Sequence, residues 1–100
     1  MKVVYTTAAQ VDLVEIAAWI AQDSPSHAES FAARLRQACE ALAHLPRRFQ
    51  LVPGHEASGI RRRPYGNCLI FYWIKNDTVE ILHVLHGARD YEKILFPESD

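Results

Sequence analysis

One hundred residues, 49% hydrophobic and 23% charged with a formal net charge of −1, describe one small globular domain spanning residues 1–100. No apolar run approaches the roughly 18 residues that cross a bilayer; Met1-Lys2-Val3-Val4 leads into mixed sequence rather than an export signal, and four glycines and five prolines exclude a fibrous or disordered chain. Cys39 and Cys68 show no C-x-x-C spacing, so the expectation is two reduced thiols in a cytoplasmic protein with no membrane association.

Val3-Val4-Tyr5 opens the chain as a short β-prone segment. Thr7 followed by Gln10 fits a capping box and predicts a helix from about Ala8. Ala9, Leu13, Ile16, Ala17 and Ile20 recur at the helical period and form its apolar face. Asp12 lies near the start, where a carboxylate favours the helix dipole. Ser24-Pro25-Ser26 ends this helix and opens another. Pro25 suits a first helical turn, and Ser26 with Glu29 offers a second capping box. Ala28, Phe31, Leu35, Ala38, Leu42 and Leu45 then recur at spacings of three and four until Pro46. So short a link forces the two helices into an antiparallel hairpin, and their alanines allow close approach.

Pro46 to Gly59 reads as a loop with a turn at Pro53-Gly54, after which the period changes. Ile60 to Arg63 is a short strand, and Cys68 to Ile74 is apolar on both faces, as in a central strand. Asn76-Asp77 forms a two-residue turn into a strand from Thr78 to Leu85. Gly87 ends that strand, and Arg89 to Leu95 has room for a short helix before Pro97. The predicted class is α+β in the order β-α-α-β-β-β: an N-terminal strand, then a helical hairpin packed on a small, mainly antiparallel sheet.

Charge is unevenly spread. Residues 1–45 carry Lys2, Arg34 and Arg36 against five acids, a balance of −2. Residues 46–75 carry Arg47, Arg48, Arg61, Arg62, Arg63 and Lys75 against Glu56 alone, a balance of +5. Residues 76–100 carry Arg89 and Lys93 against six acids, a balance of −4. A basic block between acidic ends attracts phosphates or acidic protein surfaces. Near-neutrality of the whole counts against strong non-specific DNA binding and toward a protein partner.

Few residues stand out as chemical groups. His83 and His86 lie three apart on one strand and point to opposite faces, and no cysteine or carboxylate stands at a ligand spacing nearby, so no metal is expected. His27 and His44 read as surface residues on helices. Cys39 and Cys68 read as small buried hydrophobes rather than nucleophiles. The four isolated glycines make no phosphate loop, and no cofactor is implied. What remains is a polar cluster at strand ends: Arg61, Arg62, Arg63, His86, Arg89, Asp90 and Tyr91. Alternation sends Arg61 and Arg63 to one face and Arg62 to the other. Such groups suit phosphate contacts and base stacking; equally, Arg89 and Asp90 suit a helix cap and the Tyr91 ring a place on the core.

The chain resembles the ParE/RelE superfamily, the toxic halves of type II toxin–antitoxin operons, which includes plasmid stabilisation proteins. The matching residues are Ala9-x-x-Asp12-Leu13-x-x-Ile16, Ser24-Pro25 with Ala28-x-x-Phe31, Leu45-Pro46, Ile60-Arg61 and Tyr72. Val79-x-Ile81-Leu82-x-Val84-Leu85-His86-Gly87-Ala88-Arg89-Asp90 completes the pattern. The resemblance implies the same hairpin-on-sheet fold.

RelE-like members are mRNA endoribonucleases of the ribosome. In that branch Arg89 matches the usual arginine, with His83, His86 and Tyr91 as candidate proton-transfer groups. The loop carries no lysine, and the usual terminal aromatic position falls near Leu95 or Phe96. ParE-like members, which inhibit DNA gyrase and trap it on cleaved DNA, are the closer match through the run ending at Asp90. Either branch implies a cognate antitoxin, here ParD-like with a ribbon-helix-helix half and a disordered wrapping segment. Arg61, Arg62, Arg63, Arg89, Asp90 and Tyr91 are the expected contacts to target or antitoxin. A third reading is a non-toxic module that only binds its antitoxin.

Overall fold

A computed structural model describes residues 1–87 and 89–98. Strand β1 (Lys2–Tyr5) leads into helices α1 (Thr7–Ala21) and α2 (Pro25–Glu40). Strands β2 (Arg61–Tyr65), β3 (Cys68–Lys75) and β4 (Thr78–His86) follow, and a short helix α3 (Tyr91–Leu95) ends the chain. The sheet order is β1-β4-β3-β2. The pairs β2–β3 and β3–β4 are antiparallel, while β1 lies parallel to β4. The sheet is thus mixed: the helical hairpin and the segment after it carry the chain to the far edge at β2, and two reversals bring β4 back beside β1.

The starts of α1 and α2 are each set by one hydroxyl. Thr6, rather than Thr7, caps α1: its Oγ1 accepts from the Ala9 N–H at 3.0 Å and donates to the Leu82 carbonyl at 2.9 Å. That second bond selects Thr6, since it ties the cap to the sheet as well as to the helix. Ser24, rather than Ser26, caps α2 through the His27 N–H, and Pro25 fills the first turn. The helical run tightens to a 3-10 turn at Ala41–Ala43, and Leu45 is 63% exposed instead of continuing the apolar face. Asn76 and Asp77 both take positive φ, 52° and 57°, the geometry of a two-residue hairpin with the strand's own twist.

The sheet is covered on both faces. Leu13 of α1 and Leu35, Ala38 and Cys39 of α2 pack with Ile70, Tyr72, Ile81 and Val84. On the opposite face Phe71 and Leu85 pack with Val52 and Ile60, under Tyr91, Ile94, Leu95 and Phe96. The segment 46–59 is therefore more than a loop. It is bridged to β2 at Leu51↔Arg61, carries a 3-10 turn at Glu56–Ser58 and buries Val52 completely.

A bulge re-aims the end of β4. Tyr72 pairs with Ile81 but Phe71 pairs with His83, so Leu82 is an extra residue. Without it, residues 79, 81, 83 and 85 would share the hairpin side. With it, the phase shifts, and Val84 joins Val79 and Ile81 in the hairpin-side core while Leu85 joins the other.

Candidate functional site: grooves at the hairpin edge

β1 pairs with β4 only as far as Ile81, so the edge of β4 beyond it needs another partner. Asp12 of α1 supplies it. One carboxylate oxygen accepts from the Val84 N–H at 2.9 Å and lies 2.7 Å from His83 Nδ1. The carboxylate is buried, with its charge met by these two donors. Read as a dipole residue, Asp12 is instead a bridge between helix and sheet. Its place on the apolar face, between Ala9 and Ile16, was the available signal.

The bulge carries His86 to the hairpin side, where its ring meets Trp19 edge-on with centroids 5.3 Å apart and planes at 64°. Asp12, Glu15, Ile16, Trp19, His86 and Arg89 line a groove of ≈ 330 Å³ there. Beyond Trp19 and His86 it opens into a second groove of ≈ 470 Å³ running to His27, Arg34 and Asn67. Trp19 is 60% exposed for so large an apolar ring, which marks this edge as a contact surface. Trp19 and Glu15 are groove residues that the sequence pattern did not single out, because α1 reads as packing on one face only.

The remaining candidates divide between two other places. Tyr91 lies across the sheet, its ring 5.0 Å from Phe71, with its hydroxyl 3.4 Å from Arg62 Nη1. The Gln50 amide oxygen, turned to this guanidinium, accepts from Arg62 Nε at 3.3 Å and Nη2 at 2.9 Å. Arg61 and Arg63 face the hairpin side, as alternation requires. Arg61 Nη1 donates to the Phe49 and Arg47 carbonyls at 2.7 and 3.3 Å. Arg63 Nη1 donates to the Ala38 carbonyl at 2.6 Å, near the C-terminal end of α2 where a cation meets the helix dipole. Asp90 is exposed and precedes α3 without a side-chain capping bond. Ala88, within the family-like run, lies outside the described residues.

The four groups named for ribonuclease chemistry are thus not convened. His86 and Arg89 share a groove, His83 is bound to Asp12, and Tyr91 is on the far face. Among the described residues, no group of three or more His, Cys, Asp or Glu side chains could hold a metal ion. Nor, among the described residues, is any helix long and apolar enough to cross a membrane. Burial pushes the Cys39 thiol up to about 12 and the Cys68 thiol above its ordinary value, so neither is a nucleophile at neutral pH.

Comparison with known proteins agrees with this architecture. Residues 3–91 match the family model of the ParE toxin of the type II toxin–antitoxin system, parDE. Toxin RelE2 of Caulobacter vibrioides is 34% identical over 88 residues, covering 88% of this chain and 97% of that protein. The chromosomal ParDE toxin–antitoxin system from P. aeruginosa superposes with a TM-score of 0.73 at 17% identity, over 86% of this chain and 95% of that one. The toxin–antitoxin complex RelBE2 of Mycobacterium tuberculosis superposes with a TM-score of 0.61 at 27% identity, over 85% and 95%. With the hairpin-on-sheet fold and a match across nine-tenths of its length, the chain belongs to the family of ParE toxins of type II toxin–antitoxin systems.

Proposed function

We propose that this toxin acts by binding and inhibiting DNA gyrase, leaving the enzyme on cleaved DNA, and that a ParD-like antitoxin neutralises it. The observation that carries this reading is the scattering of the proton-transfer candidates. In-line attack by a ribose hydroxyl needs a base, an acid and a cation around one phosphate. Here the groove holds one histidine, one arginine and the carboxylates of Asp12 and Glu15, of which Asp12 is already engaged by the Val84 N–H and His83, and it is walled by Trp19 and Ile16. Such a surface suits a protein target better than a transferring phosphate. The antitoxin assignment is supported by the solved relatives, a ParDE toxin–antitoxin system and a RelBE2 toxin–antitoxin complex. Arg61, Arg62, Arg63, Arg89, Asp90 and Tyr91 remain the proposed contacts, now on three separate surfaces.

A second reading has one observation of its own: the curated relative at 34% identity is named Toxin RelE2. In that reading His86 and Arg89 cut mRNA on the ribosome. Purified protein added to a gyrase supercoiling reaction, and separately to ribosomes translating a defined message, separates the two. Cleaved DNA with intact message is the expected result; cut message with unimpaired supercoiling overturns it. Inertness in both, with no growth arrest on expression, assigns the chain to an antitoxin-binding module without toxicity.

A further inference from the structure

One corner of the molecule concentrates guanidinium groups with, among the described residues, no carboxylate in salt-bridge contact. Arg61 and Arg63 of β2 fix it from below through their bonds to the carbonyls of Arg47, Phe49 and Ala38. The Tyr72 hydroxyl donates to the Pro46 carbonyl at 2.7 Å and holds the same segment. Pro46 to Phe49 is thereby pinned with Arg47 and Arg48 exposed. Phe49 stands at the centre, its ring 5.0 Å from the Arg63 guanidinium and 5.5 Å from that of Arg48. Among the described residues the salt bridges within 4.0 Å involve only His55 and His83, so none of these arginines pairs with a carboxylate.

A cation that an intramolecular acid could satisfy, and does not, is available to a partner. Each of Arg61 and Arg63 spends one nitrogen on backbone carbonyls, which orients the fork and leaves further N–H donors unused. We infer that the Arg47, Arg48, Arg61 and Arg63 corner around Phe49 is the seat of a short acidic peptide segment. The inference deepens the antitoxin reading and rests on it for the source of that segment. A peptide fits better than a nucleic acid because the basic surface is short. The whole chain carries −1, so a long polyanion meets no net attraction from the molecule beyond this corner. A few carboxylates on an extended segment match the corner and end with it.

The test uses a short fluorescein-labelled Glu/Ala peptide, with a single-stranded DNA oligonucleotide and an RNA oligonucleotide of equal charge as competitors. The intact chain is expected to bind the peptide saturably and more weakly as salt rises. Arg47→Gln with Arg48→Gln, at exposed positions without side-chain bonds in the structure, should weaken it about three- to tenfold. Lys93→Gln, on α3 across the sheet from the corner, should leave it unchanged. Tighter binding of either oligonucleotide, indifference to the double substitution, or no saturable peptide binding overturns the inference. Rescue of growth by a co-expressed antitoxin tests the parent reading separately. Rescue without peptide binding at this corner sinks only the corner, and peptide binding without any rescuing antitoxin sinks only the parent.

Discussion

At the scale of single residues, Asp12 carries the most consequence. Removing its carboxylate leaves the buried Val84 N–H without an acceptor and releases His83, an effect of about 2–3 kcal/mol. Asp12→Ala should therefore lower the unfolding free energy by that amount, seen as a lower urea midpoint at unchanged denaturant slope, while Asp12→Asn, which can still accept one bond, should lose about half as much. Burial of the thiols gives a second prediction. Cys39 is pushed up to about 12, and Cys68 and the Tyr72 hydroxyl are also raised, in each case first by desolvation. The folded chain holds these protons where the unfolded chain releases them, above about pH 9 for the thiols and pH 10 for the phenol. The unfolded state then binds fewer protons, so stability is undiminished by these groups below pH 9 and falls as pH rises from there toward 12. A thiol reagent at pH 8 should react slowly with the native chain and promptly with both cysteines in denaturant. Burial of the cysteines was legible from their apolar neighbours. The Asp12–His83 contact was not, because its partners stand 71 residues apart and nothing local announces a pairing across that distance.

At the scale of elements, the helical period and the hairpin turn were legible because they are local. The cap residues were misread by one position at Thr6 and two at Ser24, since a hydroxyl's partner across the molecule decides between neighbours. The bulge at Leu82 left no mark in the composition of β4, yet it decides that His86, and not His83, shares the groove with Trp19. The parallel pairing of β1 with β4 was equally hidden, as it depends on where the hairpin sets the chain down. Asp77 tests the turn. It holds a left-handed φ of 57° that glycine adopts without steric cost, so Asp77→Gly should raise stability by about 1 kcal/mol and the Tm by several degrees. A fall instead would mean that the aspartate makes a compensating interaction. Ser24→Ala should cost about 1 kcal/mol of stability through the start of α2, measurable in the same denaturation series.

At the scale of the whole molecule, the formal charge of −1 conceals a basic corner, a mixed-charge groove and an acidic chain end. The three arginines of β2, adjacent in sequence, serve two faces: Arg61 and Arg63 anchor the hairpin side, while Arg62 joins Gln50 and Tyr91 on the other. The fold separates what the sequence places together, and the candidate site followed the fold. Pro64 has no N–H to offer, which weakens β2 as a template for another strand and favours side-chain recognition at this edge. The central claim is that the molecule holds its target rather than cuts one. Its most direct measurement is the linear DNA recovered from a gyrase reaction after detergent and protease, as a function of added protein. The account predicts that linear DNA rises with the protein and that supercoiled product falls in step. Supercoiling at its full rate with no linear DNA, at concentrations that arrest growth, would contradict it.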